Sequence, residues 1–164
     1  MLIGLMSDTH NDVDFILKAI DIFKEKNIKI LVHAGDITSF RMLDYLKDFD
    51  CYIVLGNGDE IDSEDINTRA ASLNIRPVKS SIEFECSGKL FLVFHGHNVP
   101  QFRAAVASGR YDYIIKGHTH NFENYVSNDC RIINPGAVYA HDESSVAILD
   151  IEADKVEKII LNDI

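Results

Sequence analysis

The stretch Leu2-Ile3-Gly4-Leu5-Met6-Ser7-Asp8-Thr9-His10 decides how this chain is read. Its apolar run ends directly in a carboxylate and an imidazole placed two residues apart. The same arrangement recurs along the chain. Ile30-Leu31-Val32-His33 runs into Ala34-Gly35-Asp36, and Tyr52-Ile53-Val54-Leu55 into Gly56-Asn57. Leu90-Phe91-Leu92-Val93-Phe94 runs into His95-Gly96-His97, and Tyr113-Ile114-Ile115-Lys116 into Gly117-His118-Thr119-His120. A short continuous apolar run bounded by turn residues reads as a strand buried on both faces. In an open α/β sheet, ligands bind outside the carboxyl ends of such strands. These carboxyl ends, bearing Asp, Asn and His, are therefore expected to gather on one edge of the sheet. Distant sequence would in this way build a polynuclear metal site.

The segments between the runs alternate in period. Val13, Ile16, Leu17, Ile20 and Phe23 recur at helical spacing and predict a helix from about Asp12 to Lys26. Met42, Leu43, Leu46 and Phe49 predict a second helix, capped by Thr38 or Ser39. A weaker helical pattern covers Ser63 to Asn74, and Pro100 to Ser108 reads as a helix closed by Gly109. Ile82 to Cys86 and Lys89 to Phe94 form a hairpin pattern around Ser87-Gly88. The last third is strand-rich: Glu123 to Ser127, Cys130 to Asn134, Val146 to Ile151 and Val156 to Leu161. Periodicity by itself gives an α/β domain with an antiparallel tail.

The bulk properties narrow the class. A length of 164 residues fits one domain, 1–164, with a sizeable core. No apolar run approaches the ~20 residues of a membrane span, so no membrane partner is expected. Met1 leads straight into the first run without a basic n-region, so no signal peptide is expected. Cys51, Cys86 and Cys130 are odd in number and widely spaced. They read as reduced thiols in a cytoplasmic protein. The net charge of −10 argues against a long nucleic acid, whose binding rests on many Lys and Arg contacts. The acid run Asp59, Glu60, Asp62, Glu64 and Asp65 reads as a solvated loop and helix start. At the rim of a site it would repel polyanions and favour a small substrate. A homo-oligomer stays compatible with the sequence.

The candidate ligands are chemically coherent. Carboxylate beside imidazole, as in Asp8 and His10, suits Mn, Fe, Zn or Ni better than Ca. Asp36 has two oxygens and can bridge two ions. Asn57 offers a neutral carbonyl oxygen, and His95, His118 and His120 offer imidazoles. His33 lies within a strand and reads as a buried supporting residue. His141, in a polar loop, reads as exposed, and Asp59 as a turn aspartate, with orientation of Asn57 or His97 as its alternative role.

Taken together, Asp8-Thr9-His10, Gly35-Asp36, Gly56-Asn57-Gly58-Asp59, His95-Gly96-His97 and Gly117-His118-Thr119-His120 resemble the calcineurin-like metallophosphoesterase superfamily. The match is closest to its small single-domain bacterial and archaeal phosphodiesterase branch. Ile133-Asn134-Pro135-Gly136 resembles a further family element and reads as a turn that shapes the floor of the site. The resemblance implies a four-layer αββα sandwich of two mixed β-sheets flanked by helices. It implies that Asp8, His10, Asp36 and His120 hold one divalent ion, and that Asp36, Asn57, His95 and His118 hold a second. Manganese is the expected metal, with Ni, Fe, Zn or Mg as alternatives. The implied reaction is hydrolysis of a small phosphodiester or nucleotide by a hydroxide bridging the two ions. Many relatives place a histidine after the motif asparagine; here that position is Gly58. His97 is therefore the expected catalytic acid. Ala137 stands where the family commonly has serine. Two alternatives remain: a protein-binding scaffold on the same fold, as in the retromer sorting subunit, and a phosphomonoesterase or nucleotide pyrophosphatase using the same site.

Overall fold

The computed structural model describes residues 1–163. Its first sheet is built around β1 (Leu2–Met6), with β2 (Ile30–His33) and β3 (Asp50–Ile53) parallel to it on one side. On the other side the chain returns antiparallel as β9 (Ser145–Asp150) and β10 (Lys155–Ile160). The second sheet also has five strands. Here β4 (Ser81–Cys86) and β5 (Lys89–Phe94) form the expected hairpin. Both turn residues have positive φ, Ser87 at 51° and Gly88 at 72°, which fits a two-residue turn matched to strand twist. β6 (Tyr113–Ile115) and β8 (Cys130–Pro135) continue parallel, and β7 (Phe122–Ser127) closes the sheet antiparallel to β8.

The motif-bearing strands therefore do not share a single sheet, as their apolar runs by themselves suggest. β1, β2 and β3 lie in the first sheet, β5 and β6 in the second. The reason is visible in the side-chain alternation. Ile3, Leu5, Val32, Phe91, Val93, Tyr113, Ile115, Ala147 and Leu149 form a core between the two sheets. Their neighbours face outward to helices. Met6, Leu31, Val146 and Ile148 meet α1 (Val13–Glu25), α2 (Leu43–Leu46) and α3 (Ser63–Ser72).

The last of these helices, α3, spans Ser63–Ser72 and buries Ile66 and Ala70. Leu92, Phe94, Ile114 and Ile132 form a third cluster, against which Phe102 and Val106 of α4 (Val99–Ala107) pack. Strands buried on both faces cannot show a polar alternation, so each run reads as continuously apolar. The result is two mixed five-stranded sheets face to face with helices outside. A column of stacked rings crosses from one sheet to the other: Tyr52 on Phe84 at 3.9 Å, Phe84 on Phe91 at 4.8 Å and Phe91 on Tyr113 at 4.7 Å.

Local signals set the helix ends. Asp12 caps α1 by accepting from Phe15 N, and Asn98 caps α4 by accepting from Gln101 N. The second predicted helix forms only as a 3₁₀ turn, Phe40–Met42, capped by Ser39, followed by the single turn of α2. The strand-rich tail divides between the sheets: β7 and β8 extend the second, whereas β9 and β10 return to the first. No helix among the described residues is long and apolar enough to cross a membrane.

Candidate metal centre

The loops after β1 and β2 are joined by backbone hydrogen bonds. Asp8 N donates to Gly35 O at 2.9 Å, and the Asp36 carbonyl accepts from both Thr9 N and His10 N. His33 reinforces the joint from below. Gly35 N donates to its Nδ1 at 3.2 Å, which leaves Nε2–H to meet Thr9 Oγ1 at 3.2 Å. Close approach requires glycine at two points. A Cβ on Gly56 would lie 2.0 Å from Asp36 Oδ1, and one on Gly117 would lie 1.9 Å from Ser7 Oγ. These loops are also strained. Asp8, His10, Asp36, His118 and His120 all have left-handed backbones, with φ of 52°, 43°, 56°, 71° and 59°. Such a conformation costs a non-glycine residue on the order of 1 kcal/mol and persists where the surrounding structure imposes it, often at functional sites.

The strain brings donor atoms together. Asp8 Oδ1 lies 3.3 Å from His120 Nε2 and 3.9 Å from His95 Nε2. Asp36 turns Oδ1 toward His95 Nε2 at 3.4 Å and Oδ2 toward His10 Nε2 at 3.8 Å. Among the described residues, two groups have ligand atoms within 4.8 Å of one another: Asp8, His10 and His120, and Asp8, Asp36 and His95. Asp8 Oδ1, His10 Nε2 and His95 Nε2 are buried and have no hydrogen-bond partner. Buried polar atoms are almost always paired, so this convergence of orphaned oxygen and nitrogen atoms fits divalent cations.

Electrostatics agree. Burial raises the Asp8 pKa despite the Ser7 hydroxyl at 2.6 Å and the His118 amide at 3.1 Å. A cation would offset that burial. Burial also pushes Asp36 upward, but His95 and the Gly58 amide outweigh it and hold the carboxyl at about 2. His95 Nδ1 lies 2.8 Å from the Ala34 carbonyl, so Nδ1–H donates there and Nε2 is the nitrogen that faces the carboxylates. Burial lowers the His118 pKa, with His95 adding to the effect.

Asp8, Asp36 and His95 form a buried floor. His10 and His120 are half-buried, while Asn57, His97 and His118 are exposed at the rim. The His118 ring lies 5.2 Å from that of His95 and 6.1 Å from that of His97. The structure thus brings His97 to the edge of the cluster. Asn57 opens the 3₁₀ turn Asn57–Asp59 beside Gly58, whose amide holds Asp36 Oδ1 at 2.8 Å. Asp59 departs from the solvated acid run. It is fully buried and accepts from Thr38 N at 2.7 Å and Gly56 N at 2.8 Å, so it joins the Asp36 and Asn57 loops and contacts neither Asn57 nor His97 by hydrogen bond. His141 is half-buried, not exposed, and stacks near Tyr139. Asn134 does more than shape a turn. From β8 its amide donates to Gly117 O and Thr119 Oγ1, both at 2.9 Å, and braces the loop bearing His118 and His120.

Two supports escaped the sequence reading. Glu123 accepts from Lys116 Nζ at 2.7 Å and Thr119 Oγ1 at 2.9 Å, behind the same loop. Tyr139 places its hydroxyl 3.0 Å from His120 Nδ1. Neither belongs to a spacing motif, and only the fold makes them neighbours of the site.

Oxygen and nitrogen donors converging at the carboxyl ends of strands, on a frame of two packed sheets, define a candidate metal centre. Comparison with known proteins makes the substrates phosphoric esters. The model of the calcineurin-like phosphoesterase superfamily domain matches residues 1–154, and the chain belongs to that family. It is 31% identical to a phosphodiesterase of Methanocaldococcus jannaschii, over 98% of this chain and 99% of that one. The solved structure of an archaeal phosphodiesterase superposes with a TM-score of 0.88 at 31% identity, covering 98% of this chain and 99% of that one. Vps29 of Entamoeba histolytica, solved with zinc, shares the fold at a TM-score of 0.70 and 17% identity, covering 99% of this chain and 100% of that one.

Proposed function

We propose that the chain is a dinuclear metal-dependent phosphodiesterase acting on small phosphodiesters, with residues 1–164 as one domain. The observation that carries this reading is the set of orphaned donors on Asp8, His10 and His95, gathered on left-handed loops. Asp8, His10, Asp36 and His120 would hold one ion, and Asp36, Asn57, His95 and His118 the other. Asp36 suits the shared position because its two oxygens face different histidines. Manganese fits this mixed oxygen and nitrogen set, as do Fe, Zn and Ni. Divalent ions there supply Lewis-acid activation of a phosphoryl oxygen and of water.

The chain's own groups do the rest. Ser7 and the His118 amide hold Asp8, and the Gly58 amide holds Asp36. The exposed Asn57, holding the ion through its carbonyl oxygen, would turn its amide NH₂ to the phosphoryl group. His97, exposed beside His118, would protonate the leaving oxygen. An exposed rim over a buried floor suits a small ester, and the net charge of −10 disfavours a polyanion. The relationship to a phosphodiesterase supports this choice. The unpaired Cys51, Cys86 and Cys130 are in keeping with a reducing compartment such as the cytoplasm.

Metal titration followed by a panel of aryl phosphodiesters and matching monoesters tests the reading. Two ions per chain and faster diester cleavage are expected. Saturation at one ion would overturn the dinuclear assignment. A monoester preferred at equal leaving-group acidity would make the enzyme a phosphomonoesterase on the same site.

A further inference from the structure

Tyr139 touches two of the candidate ligands. Its hydroxyl is 3.0 Å from His120 Nδ1. Its ring stands edge-on to His10, 4.9 Å between centroids, and to His120 at 5.3 Å. His10 and His120 are the two imidazoles of the group that they form with Asp8. One phenol therefore packs against both.

The loop that carries Tyr139 is tied down. Ser144 Oγ donates to the Tyr139 carbonyl at 2.6 Å, and Ser144 N donates to Asn162 Oδ1 at 2.7 Å. Ala140 N donates to Asp12 Oδ2 at 2.9 Å, while the other oxygen of Asp12 caps α1. The phenol is thus anchored to the segment that follows His10 and to the turn after the last strand.

A histidine that ligates a metal uses its second ring nitrogen to fix tautomer and ring orientation. His95 does so through the Ala34 carbonyl. His120 has Tyr139 in that place. Its Nε2 faces Asp8 Oδ1 at 3.3 Å, so the ligating tautomer carries its proton on Nδ1. We propose that Tyr139 is a positioning residue for His120: the phenol oxygen accepts Nδ1–H, Nε2 keeps its lone pair for the ion, and the ring holds His10 edge-on. This inference rests on the metal-centre reading above. It adds a neutral partner that tunes one of the two ion positions and not the other.

Calorimetric titration of Mn²⁺ and Zn²⁺ into the wild type, Tyr139→Phe and Tyr139→Ala, with thermal melting of the ion-free proteins, tests it. Nitrogen-15 NMR of the Zn²⁺-loaded proteins reports the His120 Nδ1–H, assigned by comparison with His120→Gln. Tyr139→Phe is expected to weaken one ion by about 10–100-fold, the usual effect of losing such a partner. It should leave the other ion and the ion-free melting point unchanged, and the Nδ1–H signal should be lost to exchange. Tyr139→Ala should weaken the same ion further, because the ring against His10 is also lost. Unchanged affinity for both ions in Tyr139→Phe, with the signal retained, would overturn the assignment. So would equal weakening of both ions together with a lower melting point, which would mark a general packing role. A wild-type protein that takes up no ion would overturn the metal-centre reading itself, and is recognised before any variant is measured.

Discussion

His33 Nε2 lies 3.2 Å from Thr9 Oγ1, and this contact joins a buried imidazole of β2 to the loop that carries Asp8 and His10. Nδ1 accepts from the Gly35 amide at 3.2 Å, so the ring is neutral and of one tautomer. Burial, reinforced by His95, depresses its pKa from 6.5 to about 3. The unfolded chain therefore takes up the proton near pH 6.5, and the folded protein resists until about pH 3. The stability involved is present above pH 6.5 and is lost as pH falls toward 3, at up to about 1.4 kcal/mol per pH unit for one group. In the metal-free protein, His33→Gln should flatten the fall in stability between about pH 6 and 4 by close to one proton. Urea denaturation across that range measures it. Parallel curves for the two proteins would mean that His33 is not held neutral.

Asp36 presents one oxygen to His95 and the other to His10. Asp36→Ala should therefore reduce uptake of both ions and cut turnover by more than the ~10–100-fold typical of losing a supporting residue. Elemental analysis of loaded protein beside a diesterase assay decides this. Loss of only one ion would remove Asp36 from the shared position.

Asp59 supports two loops through buried acceptor oxygens. In Asp59→Ala, Thr38 N and Gly56 N lose their partners, at about 1–3 kcal/mol for each donor left unsatisfied. Asp59→Asn keeps one acceptor and should cost roughly half as much. Equilibrium unfolding gives the difference. A stability equal to wild type in Asp59→Ala would show that the loops hold without it.

His97 is exposed at the rim, and Gly58 offers no acid of its own. His97→Ala should slow esters with poor leaving groups by about 10²–10⁴-fold while sparing aryl esters, the usual range for general acid catalysis. Metal content should not change. An equal loss on both substrate classes would assign His97 to phosphate positioning, and loss of an ion would exchange its role with that of His95.

Much of this protein is legible in its sequence. The apolar runs, the helix that starts near Asp12, Ser87-Gly88 as a hairpin turn and the ligand types at each strand end all follow from local chemistry. These are properties of neighbours in the chain, where steric preference and periodicity act directly. Partition of the strands between two sheets is not local. A strand buried on both faces carries no mark of which sheet it joins, so only packing placed β5 and β6 opposite β1 and β2 and returned β9 to the side of β1. The buried grip of Asp59, the tie from His33 to Thr9, the brace of Asn134 and the contact of Tyr139 with His120 were likewise decided in three dimensions. Each joins residues from different loops, and no spacing along the chain announces such a pair. The sequence determined which donor atoms this protein owns; the tertiary structure decided which of them lose water and hydrogen-bond partners together, because burial and convergence arise only when the two sheets close on each other.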